Sequence, residues 1–303
     1  MKTRALLALC LGLSLAAHAR TWTDVRGRKI EAEFVSQDET GVVVQLPGAA
    51  KPVTVPLANL SDADREYLRQ KAAEANMPAA PIGKYAAQWT GSFEQGNFGG
   101  KLPFLLRVPK DLKKGVKVPL LLFLHGAGEK GNDNKTQLKH DPTKLAPKGT
   151  FEKNPMIVVA PQCPADQYWS GQPLESAIKL VKSLEKELPV DPQRIYITGL
   201  SMGGFGTWSA LAMEPRLFAA AVPISGGGDP KSVRKFDKVP IWAFHNDGDP
   251  TVKVDGSRSM IEALKKAGGD PKYTEYQSTQ HDAWTRAYKD PALWEWLVSQ
   301  KRK

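Results

Sequence analysis

The stretch from Arg194 to Trp208, RIYITGLSMGGFGTW, decides the fold prediction. Its first five residues are β-branched or aromatic for the most part, a composition typical of a buried strand. The pattern G-x-S-x-G follows around Ser201, and the segment from Phe205 to Met213 is compatible with a helix. A strand, a tight glycine turn and a helix in this order leave the central hydroxyl exposed at the helix N-terminus. Ser201 is therefore predicted to be a nucleophile.

Further apolar runs alternate with helical segments on both sides of this stretch. The runs cover residues 119–124, 156–160, 219–224 and 239–244, and a helix is predicted over residues 174–188. Strands that are apolar throughout and alternate with helices indicate a parallel sheet covered on both faces. The fold class predicted for residues 84–303 is therefore α/β, and this length leaves little room for a large cap over the strand ends.

The first residues follow the order of a secretory signal peptide. Basic Lys2 and Arg4 precede an apolar run over residues 5–15, and the small-x-small triplet Ala17-His18-Ala19 comes next. The run of about 11 residues is too short to span a bilayer, which takes about 20. We expect a signal peptide over residues 1–19, cleavage near Ala19, and a secreted or periplasmic mature protein without stable membrane insertion. Its one remaining cysteine, Cys163, cannot form an intrachain disulfide.

Residues 20–70 predict a small β-rich module. Short runs over residues 30–35, 41–46 and 53–55 have strand composition, and Ser61 is a typical helix N-cap. The Ala- and Pro-rich residues 71–83 are interpreted as a linker. The stretches RTWTDVRGRKIEAEF and VPLANLSDADREYL resemble the Sla-homology-type small β-barrel that recurs behind bacterial signal peptides. The resemblance implies an all-β binding or spacer module, and the sequence does not name its ligand.

The formal net charge is +10, and it falls to +8 when Lys2 and Arg4 are removed. Basic residues are concentrated in one segment of the later part of the chain: Lys130, Lys135, Lys139, Lys144 and Lys148. No recognisable nucleic-acid-binding motif accompanies them, so no nucleic-acid partner is expected. The excess of positive charge is interpreted as a solvated basic surface. Attraction to an anionic polymer or a cell surface is the alternative.

A serine hydroxyl is a weak nucleophile and needs a histidine base that a third group holds in place. In hydrolases with this strand-turn-helix serine, the acid and then the histidine follow the serine along the chain. His281 lies in the loop after a predicted strand over residues 273–276, and it is the only histidine there. It is therefore the predicted base. His245, at the end of the run over residues 239–244, is interpreted as structural.

Three carboxylates are candidates for the acid of this triad. Asp247 and Asp249 both follow the run over residues 239–244, where the acid is expected, and Asp229 follows the strand before it. These residues alone leave the choice open.

An acyl-transfer site also needs two backbone N–H groups aimed at the developing oxyanion. The first is expected from Met202, directly after the nucleophile. The second is expected from Ala127 or Gly128, in the glycine-rich loop after the run over residues 119–124.

Four further residues are candidates for the substrate pocket: Glu129, Gln162, Trp169 and Trp284. Packing at the core or rim is the first interpretation of the two tryptophans, and a platform for a sugar or cinnamoyl ring is the alternative. Glu129 is interpreted as a carboxylate that braces its loop. No cluster of His, Asp and Glu has metal-ligand spacing, and no glycine loop precedes a phosphate-binding lysine, so neither a metal nor a cofactor is expected.

Five stretches together resemble a known family: FLHGAGEKGNDN, VVAPQCP, DPQRIYITGLSMGGFGTW, FAAAVPISGGGDP and YTEYQSTQHDAWTRAY. They are similar to secreted α/β-hydrolases of the predicted-peptidase group, which is related to feruloyl, acetylxylan and polyhydroxybutyrate-depolymerase-like esterases. The resemblance covers about residues 84–303. It implies the α/β-hydrolase fold, no cofactor, and ester hydrolysis through an acyl-serine intermediate.

The same resemblance implies a triad of Ser201, Asp249 and His281. It selects Asp249 by its position four residues after His245, which makes Asp247 a turn residue. The chain departs from the family at Asn246, where glycine is usual, and at Lys253, where proline is frequent.

The sequence therefore predicts a secreted serine carboxylesterase that acts on ester substrates, with feruloyl or acetyl esters of cell-wall polysaccharides as the expected class. A serine peptidase of the same fold is one alternative, disfavoured because nothing resembles the propeller domain that gates oligopeptidases. A binding protein with a vestigial hydrolase domain is the alternative from another class, and the complete set of triad residues argues against it.

Overall fold

A computed structural model of the chain describes residues 19–76 and 84–302. The chain divides into two compact units, and the boundary lies between residues 77 and 78. The predicted signal peptide, apart from Ala19, and the second half of the predicted linker lie outside the described residues. Within the described part of the chain, no helix is long and apolar enough to cross a membrane.

The first unit contains a four-stranded antiparallel sheet and one helix. Its strands pair in chain order: β1 (Arg20–Thr23), β2 (Lys29–Gln37), β3 (Gly41–Gln45) and β4 (Val53–Pro56). Helix α1 (Asp62–Asn76) follows. Ser61 caps α1 as expected, because its Oγ accepts a hydrogen bond from the Asp64 amide at 3.2 Å.

The helix α1 differs from the sequence-based prediction in its length. It includes Lys71–Asn76, so the first part of the predicted linker is helical and the unit is not all-β. The sequence KAAEAN is rich in Ala, Lys and Glu, which are among the best helix formers, and the prediction gave too much weight to the prolines beyond it.

The second unit is built on an eight-stranded sheet. The strands along the chain are β5 (Phe93–Phe98), β6 (Leu102–Arg107), β7 (Val118–Leu124), β8 (Ile157–Pro161), β9 (Val190–Leu200), β10 (Ala220–Ile224), β11 (Trp242–Asn246) and β12 (Lys272–Tyr276). Their order across the sheet is β12-β11-β10-β9-β7-β8-β6-β5. The pairs among β7 to β12 are parallel, whereas β5 and β6 are antiparallel.

The six predicted strands of this unit are confirmed with shifts at their ends, and the antiparallel pair β5–β6 was not predicted. The sequence of β5, FEQGNF, is polar and contains a glycine, and β6 contains Pro103. Both features lower the strand signal in a sequence, and both are typical of strands near a sheet edge.

Helices cover the sheet: α2 (Pro142–Leu145), α3 (Thr150–Lys153), α4 (Gly171–Glu187), α5 (Met202–Met213), α6 (Asp255–Lys266), α7 (Ala283–Lys289) and α8 (Pro291–Ser299). Successive residues of one strand belong to different apolar clusters, with Leu120 and Leu122 in one and Leu121 and Phe123 in the other. Both faces of the sheet are therefore buried, which explains why its central strands are apolar throughout.

The parallel strands fix where functional side chains meet. The carboxyl ends of parallel strands lie at one edge of a sheet, and ligands of open α/β sheets bind outside that edge. The loops after β7, β9, β11 and β12 carry Ala127, Ser201, Asp249 and His281. Four segments that are far apart in sequence thus reach one place.

Candidate active site

Ser201 lies at the sharp turn between β9 and α5. Its φ of 54° and ψ of −117° are unusual for a residue with a side chain, so the turn stores backbone strain. Gly203 makes the turn feasible, because a Cβ there would lie 1.9 Å from the carbonyl oxygen of Leu124. The glycine pattern therefore serves close packing of α5 against β7 and presents the serine hydroxyl at the helix N-terminus.

Ser201, His281 and Asp249 form a continuous hydrogen-bonded chain. The Oγ of Ser201 lies 2.8 Å from Nε2 of His281, and Nδ1 of His281 lies 2.6 Å from Oδ2 of Asp249. An ionised carboxylate can only accept hydrogen bonds, so Nδ1 carries the proton and Nε2 is free to accept from the serine hydroxyl. Asp249 is 6% exposed, whereas the other two residues are half-buried.

The carboxylate of Asp249 is held by its own loop as well as by the histidine. Its Oδ1 accepts hydrogen bonds from the backbone amides of Thr251 and Val252, each at 2.9 Å. Burial opposes ionisation of Asp249, but the hydrogen bonds from His281 and from these amides outweigh it and lower the pKa of the carboxyl group. The acid is therefore ionised and fixed in orientation.

The structure brings only one of the three candidate acids to the histidine. Asp247 is exposed, and its Oδ1 accepts from the amide of Ser278 at 2.9 Å. Asp229 is exposed as well and caps a short 3-10 helix through the amide of Lys231. Asp249 is the carboxylate that contacts His281.

His245 is fully buried behind the acid. Its Nε2 lies 2.9 Å from the carbonyl oxygen of Val252, which can only accept, so this nitrogen carries a proton. Its Nδ1 lies 2.8 Å from the Oγ of Ser257, and burial lowers the pKa of the ring. His245 thus fixes the loop that holds Asp249, and the structural interpretation of this residue agrees with its contacts.

The predicted oxyanion donors are the backbone amides of Met202 and Ala127. Met202 begins α5, and Ala127 begins a short 3-10 turn over Ala127–Glu129. In the described chain neither amide has a hydrogen-bond acceptor, and Ala127 and Gly128 are exposed. The amide of Gly126, by contrast, already donates to Oε2 of Glu129 at 3.0 Å.

His125 braces the turn that carries Ala127. Its Nε2 accepts from the amide of Cys163 at 2.9 Å, so Nδ1 carries the proton and donates to the carbonyl of Gly126 at 2.7 Å. Burial lowers the pKa of His125 to about 4, which keeps the ring neutral. This role was not predicted, and its signal in the sequence is the position of His125 directly before the glycine-rich loop.

Two predicted pocket residues serve the scaffold instead. Glu129 is buried and bonded to Gly126, which agrees with a bracing carboxylate. Gln162 is fully buried, accepts from the amide of Asn134 at 2.7 Å, and donates to the Glu129 carbonyl and to Asp133. The polar groups of both residues are used inside the protein.

The two tryptophans have different surroundings. Trp169 is one wall of a cavity of about 360 Å³ whose other lining residues are Tyr168, Ser170, Met202, Phe205 and Ser209. Its ring is otherwise buried, and its Nε1 donates to the His125 carbonyl at 3.0 Å. Trp284 is not part of this lining. Its ring packs edge-on against His281, with centroids 5.1 Å apart.

Comparisons with known proteins agree with this architecture. The model of the prolyl oligopeptidase family matches residues 165–242, a segment that includes Ser201. Poly(3-hydroxyalkanoate) depolymerase C of Paucimonas lemoignei is 32% identical over 149 residues, covering 43% of this chain and 33% of the depolymerase. The bifunctional acetylxylan esterase/xylanase XynS20E of Neocallimastix patriciarum is 28% identical over 142 residues, covering 43% of this chain and 19% of that enzyme.

Among solved structures, a thermostable esterase is 40% identical, with a TM-score of 0.67 and coverage of 69% of this chain and 63% of that chain. The expected similarity to esterases is thereby confirmed, and the second unit has the α/β-hydrolase fold. The chain spans a third or less of the length of the two curated relatives described above.

Proposed function

We propose that the protein is a serine carboxylesterase. The observation that carries the proposal is the hydrogen-bonded chain from Asp249 through His281 to Ser201, at the carboxyl edge of a parallel sheet. The similarity to esterases supports it. The binding-protein alternative is disfavoured, because a vestigial site has no need of a strained serine that is aligned with its base.

In the proposed mechanism, His281 takes the proton of the Ser201 hydroxyl at Nε2 while Oγ attacks the ester carbonyl. The amides of Met202 and Ala127 donate to the oxyanion of the tetrahedral intermediate, at the positive end of the α5 dipole. His281 then protonates the leaving alcohol, and the acyl group remains on Ser201. Water that gives its proton to the same nitrogen attacks the acyl-enzyme, and the carboxylic acid is released.

The cavity beside Met202 favours a feruloyl group over an acetyl group. It is formed largely by aromatic side chains, and two of them present open surface, with Tyr168 61% exposed and Phe205 42% exposed. The ammonium of Lys130 lies 4.5 Å from the ring centre of Tyr168 and fixes that ring by a cation–π contact. Burying one aromatic ring there contributes about 2 kcal/mol, whereas an acetyl group leaves the cavity unfilled.

The proposal extends to polysaccharide-linked esters outside the cell. An open cavity suits a side group on a polymer, and one relative is by name an acetylxylan esterase. Export through the signal peptide over residues 1–19 is part of the proposal, and the N-terminal unit is proposed to serve as a binding or spacer module. N-terminal sequencing of the exported protein tests the export step, since the expected first residue is Arg20.

One substrate panel tests the proposed activity. It contains methyl ferulate, methyl acetate, acetylated xylan, short and long p-nitrophenyl esters, and peptide amides. We expect esters to be hydrolysed in preference to amides, and methyl ferulate in preference to methyl acetate. A clear preference for amides over every ester contradicts the carboxylesterase proposal.

A serine peptidase is the second candidate, because the model of the prolyl oligopeptidase family matches the segment around Ser201. The same triad can cleave an amide, but an amine is a poorer leaving group than an alcohol. The protonated His281 must therefore be placed closer to the leaving nitrogen. The amide arm of the panel decides between the two candidates.

A further inference from the structure

Asn246 is the last residue of β11, and its side chain is fully buried. Its Nδ2 donates two hydrogen bonds, one to the carbonyl of Gln280 at 2.8 Å and one to Oδ1 of Asp282 at 2.9 Å. Gln280 and Asp282 are the residues on either side of His281. One amide group therefore holds the chain both before and after the base.

The orientation of this amide follows from its partners. A backbone carbonyl and a carboxylate both accept, so the nitrogen of Asn246 must face them. The Oδ1 of Asn246 is buried and has no hydrogen-bond partner in the described chain. A buried acceptor without a hydrogen-bond partner destabilises the folded protein. An asparagine at this position is therefore not explained by a need to satisfy every buried polar atom.

Asp282 supplies a second observation. It is the N-cap residue of α7, where an aspartate side chain ordinarily accepts from the first amides of the helix. Its side chain makes no such cap hydrogen bond here, and its Oδ1 accepts from Asn246 instead. The carboxylate is thus used to fasten the loop of His281 to β11.

The same end of β11 continues into the loop of the acid. Asp247 Oδ1 accepts from the amide of Ser278, and the amide of Gly248 donates to the carbonyl of Ser278 at 3.1 Å. These contacts tie the two loops together at a distance from the base. Within the described residues 19–76 and 84–302, the contacts of the Asn246 side chain end on both neighbours of His281.

We propose that Asn246 is a positioning residue of the active site. It fixes the backbone on both sides of His281, so that the imidazole bridges Asp249 and Ser201 at hydrogen-bond distance in the resting enzyme. The inference deepens the proposed function and rests on it.

The central test replaces Asn246 with aspartate and with glycine in the full mature chain. Asn246→Asp keeps the size but removes the donor and places a second carboxylate beside Asp282. We expect its kcat on p-nitrophenyl acetate to fall about 100-fold, since small displacements of a catalytic group have effects of this size. The KM stays within about twofold, because Asn246 is buried away from the cavity that binds substrate. Asn246→Gly is expected to lose about tenfold in kcat.

Two readouts separate positioning from general stability. Lowering the pH protonates the introduced carboxyl group and returns one donor, so the activity of Asn246→Asp relative to wild type rises as the pH falls. In a double-mutant cycle, Asn246→Ala and Asp282→Ala are less than additive in their effects on kcat, because each removes the same hydrogen bond. Strict additivity, or no relative recovery at lower pH, contradicts the proposal.

Asp191→Asn is the matched control for stability. Asp191 lies at the far end of β9 from Ser201 and accepts hydrogen bonds from Gln193 and Arg194. We expect it to lower the melting temperature without changing kcat. If Asn246→Gly retains wild-type kcat while folded, or if its loss of kcat only follows the unfolded fraction, Asn246 has no positioning role.

A second assay keeps this inference apart from the proposed function. A fluorophosphonate probe reacts with a serine activated by its base and needs no ester substrate. We expect the rate of Ser201 modification to fall in parallel with kcat in the Asn246 variants. If the probe modifies Ser201 of the wild-type protein but no ester is hydrolysed, the carboxylesterase proposal is wrong. The modification rates of the Asn246 variants then still decide whether Asn246 positions His281.

Discussion

The turn at the nucleophile and the loops of the acid and base are held in different ways. At residues 199–204 the backbone is fixed by close packing of the glycines of the turn between β9 and α5 against the ends of β7 and β10. At residues 246–252 and 276–282 the geometry depends on side-chain hydrogen bonds between segments about 30 residues apart. The first arrangement is steric and depends on backbone contacts, whereas the second is polar and depends on side chains. Substitutions in the first region should therefore lower the free energy of unfolding. Substitutions in the second region should lower kcat while the protein stays folded.

The largest effect is expected for Ser201→Ala, which removes the reacting atom and leaves both regions in place. By analogy with other serine hydrolases, kcat should fall by about 10⁵- to 10⁶-fold. The circular dichroism spectrum should be unchanged. Ser232→Ala, at a half-buried serine in a short 3-10 helix away from the triad loops, is the control. Full activity of Ser201→Ala on p-nitrophenyl acetate would show that the triad is misassigned.

The two aspartates of one loop give the next effect. Asp249→Asn should lower kcat about 10⁴-fold with the fold intact, because an amide at this position permits the wrong tautomer of His281. Asp247→Asn should be mild, since the amide oxygen can still accept from Ser278. Steady-state kinetics compare kcat of the two variants, and their melting temperatures show whether both are folded. Reversed outcomes would make Asp247 the acid.

Gly203→Ala probes the steric region. The added Cβ would lie 1.9 Å from the Leu124 carbonyl oxygen, so α5 and β7 must separate and the free energy of unfolding should fall by more than about 4 kcal/mol. At Gly128 the same substitution meets no atom within 4 Å, so Gly128→Ala should change that free energy by less than about 0.5 kcal/mol. Urea unfolding measures both, and equal stabilities of the two variants would refute the steric account.

His125 links stability to pH. Burial lowers its pKa to about 4, while the unfolded chain has the ordinary value of 6.5. Between these values the unfolded state binds the extra proton, so the free energy of unfolding falls as the pH decreases from 6.5 to 4, by up to about 3 kcal/mol. Urea titrations at several pH values should show a shallower dependence in His125→Gln. An unchanged slope in this variant assigns the pH dependence to other groups.

The smallest effect concerns the cavity beside the nucleophile. Phe205→Ala removes an aromatic wall and should lower kcat/KM for methyl ferulate about tenfold, while p-nitrophenyl acetate changes by less than about twofold. The ratio of the two specificity constants is the measurement. An equal decrease of kcat/KM for both substrates would show that the feruloyl group binds outside this cavity.

The sequence by itself determined the local part of the protein. Apolar strands, alternating helices and the G-x-S-x-G turn are short-range patterns, and they predicted the parallel sheet and placed Ser201 at the turn where the structure has it. The polar edge strand β5 was missed because its composition resembles that of a loop, and the helical start of the supposed linker was missed because the prolines beyond it outweighed its helix-forming residues.

The tertiary structure decided which polar groups meet. It placed Asp249 rather than Asp247 or Asp229 against His281, used the side chain of Gln162 inside a loop, and put the amide of Asn246 between the neighbours of the base. Such contacts join the ends of strands that are distant along the chain. Their partners depend on which strands lie side by side and on the direction of each loop, and no pattern within a single segment contains that information.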